Sequence, residues 1–87
     1  MSDLAVDMVA HFRLVLDDDA DTAELILTPP RGLPMVFTLA GGTIDHTDLG
    51  SYHVAQLMTK AGQWLCEWVT TLAGETTRAP LPFIVYP

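Results

Sequence analysis

Apolar and polar residues alternate along most of this chain. From Val6 to Leu16 the even positions are Val6, Met8, Ala10, Phe12, Leu14 and Leu16, and the odd ones include Asp7, His11 and Arg13. A period of two is that of a strand with one buried face, so this run is expected to be one strand with its even side chains inward. A helical turn capped by Ser2 is the alternative for the first eight residues, and the alternation favours the strand. "DDDAD" (17–21) breaks the pattern, because adjacent aspartates favour turns. "TAELILT" then points Ala23, Leu25 and Leu27 one way. "PPRG" (29–32) makes the next turn, and "LPMVFTL" alternates Leu33, Met35, Phe37 and Leu39, with Pro34 near its start where proline is tolerated. After "AGG" come a short "TIDH", the run "SYHVAQLM", and "GQWLCEWV" with Trp64, Cys66 and Trp68 at every second position. "TLAGETTRA" reads as a polar loop before a last strand, "PLPFIVYP". About seven strands with turns every 8–12 residues and no helical segment predict an antiparallel β-sandwich or small barrel over a single domain, 1–87.

Charge and length narrow the partners. Four basic against eleven acidic side chains give −7 in 87 residues. That charge is repelled by duplex DNA and anionic membranes, so neither is an expected partner. A single cysteine forms no internal disulfide. "MSDLAVDM" lacks the basic region and apolar run of a secretory signal, and no stretch approaches the ~20 apolar residues of a membrane-spanning helix. The expectation is a chain that stays in the cytoplasm where it is made, or leaves as part of an assembly.

The order of motifs resembles a known family. "GSYHVAQLMTKAGQWLCEW" followed by "PLPFIVYP" is similar to the second half of a filamin-type immunoglobulin-like domain, through Gly50, Tyr52, Val54, Gly62, Trp64, Pro82, Phe83 and Val85. "DTAELILTPPRG", "GGTIDHTDLGSY" and "AGQWLCEW", in that order, resemble the small stand-alone immunoglobulin-like proteins of tailed-phage virions. The resemblance implies an immunoglobulin-like antiparallel β-sandwich with Trp64 in place of the corner tyrosine and Cys66 in place of the strand-F cysteine. The facing strand, taken as "TAELILT", offers Leu25 and Leu27 but no cysteine, so the core is expected to be packed and not bridged. Trp64, Cys66 and Trp68 should then face Leu25 and Leu27 across the core, with Tyr52, Met35, Phe37 and Phe83 around them. An indole cannot reproduce the tyrosine hydroxyl's bond, but its N–H can reach another carbonyl.

Candidate chemistry is thin. Asp17, Asp18, Asp19 and Asp21 resemble a calcium loop, yet the sixth and twelfth positions are Thr22 and Thr28, where an EF-hand needs glycine and glutamate. A solvated turn is expected there. His11, His46, His53 and Asp48 could contribute to a metal site only if at least three ligands converged, and Cys66 with a histidine could make a thiol nucleophile only if exposed. No G-x-S-x-G elbow or phosphate-cradling glycine loop occurs. No cofactor, metal or catalysis is expected.

The outward positions of the sheet implied to hold strands C, F and G are Val36, Thr38, Leu65, Glu67, Val69, Ile84 and Tyr86. Five of these seven are apolar or aromatic: Val36, Leu65, Val69, Ile84 and Tyr86. Contiguous apolar patches mark interaction sites. With the resemblance, they imply a phage structural protein present in many copies, docking by this face on capsid, connector or tail subunits. A head-associated decoration role is preferred to a neck or tail one. A carbohydrate-binding module, the alternative of another class, would need Trp64 or Trp68 exposed on a flat face. Ile26, assigned to the opposite sheet, is expected to lie outside the docking face.

Overall fold

The computed structural model describes residues 4–87, so Ser2 and its possible cap lie outside the described residues. All regular structure there is β: β1 (Leu4–Ala5), β2 (Val9–Val15), β3 (Thr22–Thr28), β4 (Met35–Thr38), β5 (Asp45–Asp48), β6 (Ser51–Leu57), β7 (Gly62–Leu72) and β8 (Glu75–Tyr86). One sheet has the order β1-β8-β7-β3-β4 and the other β2-β6-β5. With β2, β6 and β5 as strands B, E and D, and β3, β7 and β8 as C, F and G, this is an immunoglobulin-like antiparallel β-sandwich. The one parallel pair among the described residues is β1 with β8.

The expected first strand is two. Val6 N–H donates to the Tyr86 carbonyl at 2.9 Å in one sheet, and Asp7 N–H donates to the Met58 carbonyl at 2.8 Å beside the other. Asp7 makes the switch at φ 73°, a left-handed conformation that aspartate tolerates better than most residues. Alternation is therefore interrupted, and Met8 is 45% exposed instead of inward. The last strand is also longer than expected. "TLAGETTRA" is no loop, because Leu72 pairs with Glu75 across a two-residue turn. Ala73 (φ 52°) and Gly74 (φ 83°) are both left-handed, as the type I′ hairpin turn requires.

A third difference concerns sheet membership. β3 lies beside β7 in the same sheet, with Leu25 paired to Trp68 and Leu27 to Cys66. Leu25 and Leu27 are thus lateral neighbours of the indole stripe and do not face it. The opposing layer is β2 and β6, which contribute Ala10, Phe12, Tyr52 and Val54. The inward assignment of the stripe holds: Trp64 is 1% and Trp68 6% exposed. Phe83 packs on both layers, its ring centroid 6.1 Å from Trp64 and 5.5 Å from Phe12. Trp64 also finds a carbonyl, donating from Nε1 to Lys60 O at 3.0 Å. The indole N–H thereby ties the entry of β7 to the residues four positions before it.

Candidate functional site

The outer face of the five-stranded sheet is fixed by register. Val36 on β4 pairs with Ile26 on β3, Ile26 pairs with Glu67 on β7, and Leu65 pairs with Pro82 on β8. Side chains at these positions share one face because neighbouring strands keep their pleats in phase. Val36, Leu65, Ile84 and Tyr86 are exposed on it, while Ile26 and Val69 are half-buried. The seven residues expected to point outward all do so. Ile26 corrects the expectation, since it belongs to this face and not to the other sheet. The charges in its middle are paired, with Arg78 Nη1 donating to Glu67 Oε1 at 3.2 Å. Glu24, beside Val69 and Thr38 at the other end of the face, has no such partner among the described residues, so the apolar contact is centred on Ile26, Leu65 and Ile84 and leaves Glu24 at its rim.

The aspartate loop is not merely solvated. Asp19 Oδ1 accepts from Gly50 N–H at 2.7 Å and lies 3.1 Å from His46 Nε2. Asp21 Oδ2 accepts from Ala73 N–H at 3.1 Å, which fastens the loop to the β7–β8 turn. Gly50 (φ 69°) comes so close to Leu16 that a Cβ would collide with its carbonyl oxygen. The Tyr52 hydroxyl reaches over the core to accept from the buried Ala20 N–H at 2.8 Å. His46 stacks on the Tyr52 ring at 4.5 Å and donates from Nδ1 to the Ser51 carbonyl at 2.8 Å. That carbonyl bond is the largest cause raising the pKa of His46 above its ordinary value; partial burial works against it, and Asp19 and Asp48 add to it.

The other two histidines converge as well. His11 Nδ1 is 2.9 Å from His53 Nε2, and His53 Nδ1 is 3.5 Å from Asp45 Oδ2. The pair lies on the outer face of the three-stranded sheet. No group of three His, Cys, Asp or Glu among the described residues is placed to hold a metal ion. Cys66 is buried, and loss of solvation pushes its thiol up to about 11. It behaves as a small apolar filler, since the thiolate is the reactive form. With Trp64 and Trp68 both buried, neither indole offers the flat platform that a sugar-binding face would use.

No protein-family model, curated protein or solved structure matches this chain. One surface was missed in the sequence. β2 is an edge strand of the smaller sheet, and it faces a gap over β8 that alternation cannot reveal. Leu81 lies on the inward row of β8, paired with Cys66, yet is 62% exposed.

Proposed function

We propose that this chain is a non-catalytic structural subunit that docks on a larger protein assembly through the outer face of its five-stranded sheet. The observation that carries the reading is the outer face itself. Val36, Ile26, Leu65, Val69, Ile84 and Tyr86 occupy neighbouring positions across four hydrogen-bonded strands. Rigid strands keep that surface in place, so little ordering entropy opposes association. The resemblance of its motifs to stand-alone immunoglobulin-like phage proteins supports a tailed-phage virion as the assembly. Within it, a head-associated decoration role is preferred to a neck, connector or tail position. Repetition of equivalent sites on a lattice would let individually weak contacts suffice by mass action. The net charge of −7 favours a partner with a basic surface and discourages self-association.

The test is particle incorporation. Leu65→Glu and Ile84→Glu place an unpaired carboxylate in the centre of the contact, where desolvation is costly. Both should keep near-normal circular dichroism and melting, and both should be missing from purified particles by mass spectrometry. The control is Ala55→Glu, because Ala55 is exposed on the outer face of the other sheet, on its central strand. It should incorporate normally. Normal incorporation of both outer-face variants, or loss of Ala55→Glu alone, would overturn the reading. Stoichiometry against the major capsid protein then separates decoration from a connector role.

A further inference from the structure

The trough between β2 and β8 has a backbone edge, an apolar floor and oppositely charged ends. We infer that it is a strand-addition site that takes one extended segment of a partner polypeptide. The geometry begins with the uneven layers, three strands facing five. Met58 N–H donates to the Met8 carbonyl and Leu16 N–H to the Gly50 carbonyl. Even residues of β2 therefore bond to β6, and in an antiparallel ladder the odd ones must point the opposite way. The N–H and C=O groups of Val9, His11, Arg13 and Val15 thus line an edge that no other strand among the described residues pairs with. Such an edge is a ready template for another strand.

β8 forms the opposite wall, and its own edge is interrupted for pairing. The Tyr86 carbonyl points away from β7 to meet Val6, so the even residues of β8 face outward from the ladder. Pro80 and Pro82 are in that set and have no N–H to offer. Thr76 and Arg78 keep outward N–H groups, but a ladder along β8 breaks at both prolines. β2 is therefore the longer unbroken edge for an incoming strand, and the inner face of β8 serves as its floor. That floor holds Leu81, Ala79 and Thr77, all exposed although they share the inward row with buried Val85.

The trough has a definite size and polarity. One cavity of about 410 Å³ lies among Phe12, Leu14, Trp68 and Leu81. A second, of about 370 Å³, continues beside Leu16, Thr70, Leu72 and Thr77. Six residue steps from Glu75 to Leu81 span about 20 Å, room for a strand of six or seven residues. Arg13 borders the first cavity, and Asp17, Asp18 and Glu75 border the second. The fitting occupant has apolar residues at alternate positions, an acidic residue at one end and a basic one at the other. A second copy of the chain would bring another seven negative charges, so a different polypeptide is the occupant. The site is separate from the outer sheet face, because Leu81 points to the inner side.

The experiment uses the ¹⁵N-labelled chain and a blocked octapeptide of alternating valine and threonine, with aspartate first and lysine last. In the free chain, the amides of Val9, His11, Arg13 and Val15 should exchange with solvent much faster than those of Ala10, Phe12 and Leu14. Excess peptide should slow the odd amides at least about tenfold and shift the Leu81 methyl resonances. Arg13→Pro removes an edge N–H without breaking a bond to β6 and should weaken peptide affinity about tenfold, roughly one lost hydrogen bond. Leu81→Asp, at a position already exposed, should leave the fold intact and weaken binding similarly even if Arg13→Pro does not fold. The inference is overturned if the millimolar peptide leaves the odd amides unprotected, or protects the edges of β4 or β5 instead. Unchanged affinity in Leu81→Asp also overturns it. So do odd amides already slow in a free chain that sediments as a dimer, which would give the trough to a second copy.

Discussion

His46 is held between two acceptors, the Ser51 carbonyl at 2.8 Å and the Asp19 carboxylate at 3.1 Å from its other nitrogen. A neutral ring can donate from only one nitrogen, so the protonated form satisfies this pocket better. Its pKa is accordingly raised in the folded chain. The stabilisation is complete below the unfolded value of about 6.5 and is lost as pH rises through the higher folded value. His46→Gln should thus lower the melting temperature more at pH 5.5 than at pH 8.5. A difference from wild type that is the same at both pH values would contradict the two-acceptor account. The same small cluster explains why the aspartate loop is ordered against β6. Asp19 also receives the Gly50 N–H, and Tyr52 receives the Ala20 N–H from the loop. None of this was legible in the sequence, where "DDDAD" reads as a turn whose only visible property is charge.

Among the elements, alternation foretold which side chains face inward but not which strand lies alongside which. Trp64, Cys66 and Trp68 face the core as their spacing requires, and so do Ala23, Leu25 and Leu27. Burial makes Trp68→Ala an informative substitution, expected to cost about 3–5 kcal/mol. Small domains have only ~5–15 kcal/mol in total, so urea titration should show a large loss of midpoint or no folded baseline. A melting temperature within a degree or two of wild type would refute the burial. Sheet membership was misread because a period of two is blind to lateral pairing. β3 looks the same in sequence whether it faces β7 or hydrogen-bonds to it. The hairpin end of β8 was hidden for another reason. Alanine rarely adopts positive φ, so "AG" carries less turn signal than "NG" or "DG". The apolar face of Val36, Leu65, Val69, Ile84 and Tyr86 was legible, while the trough was not, since Leu81 alternates inward like any core residue.

The whole molecule measures 41 × 24 × 22 Å. Its long dimension accommodates the eleven- and twelve-residue strands of the β7–β8 hairpin. That hairpin also has a kinetic consequence. Its strands are joined by two residues, so bringing them together costs little chain entropy, whereas β1 meets β8 through the pairing of Leu4 with Val85, 85 − 4 = 81 residues apart. Contacts closed by short loops form early, and the most distant ones add last. The hairpin is therefore expected to be present at the folding barrier, with β1 still detached. Gly74→Ala strains a left-handed turn residue and should slow refolding in stopped-flow measurements, with little change in unfolding. Val6→Ala, at the crossover next to β1, should do the reverse and mainly accelerate unfolding. If the two substitutions exchange these effects, assembly begins at the parallel pair. If the order is as expected, the strand that completes the five-stranded sheet is the last to arrive and the first to leave.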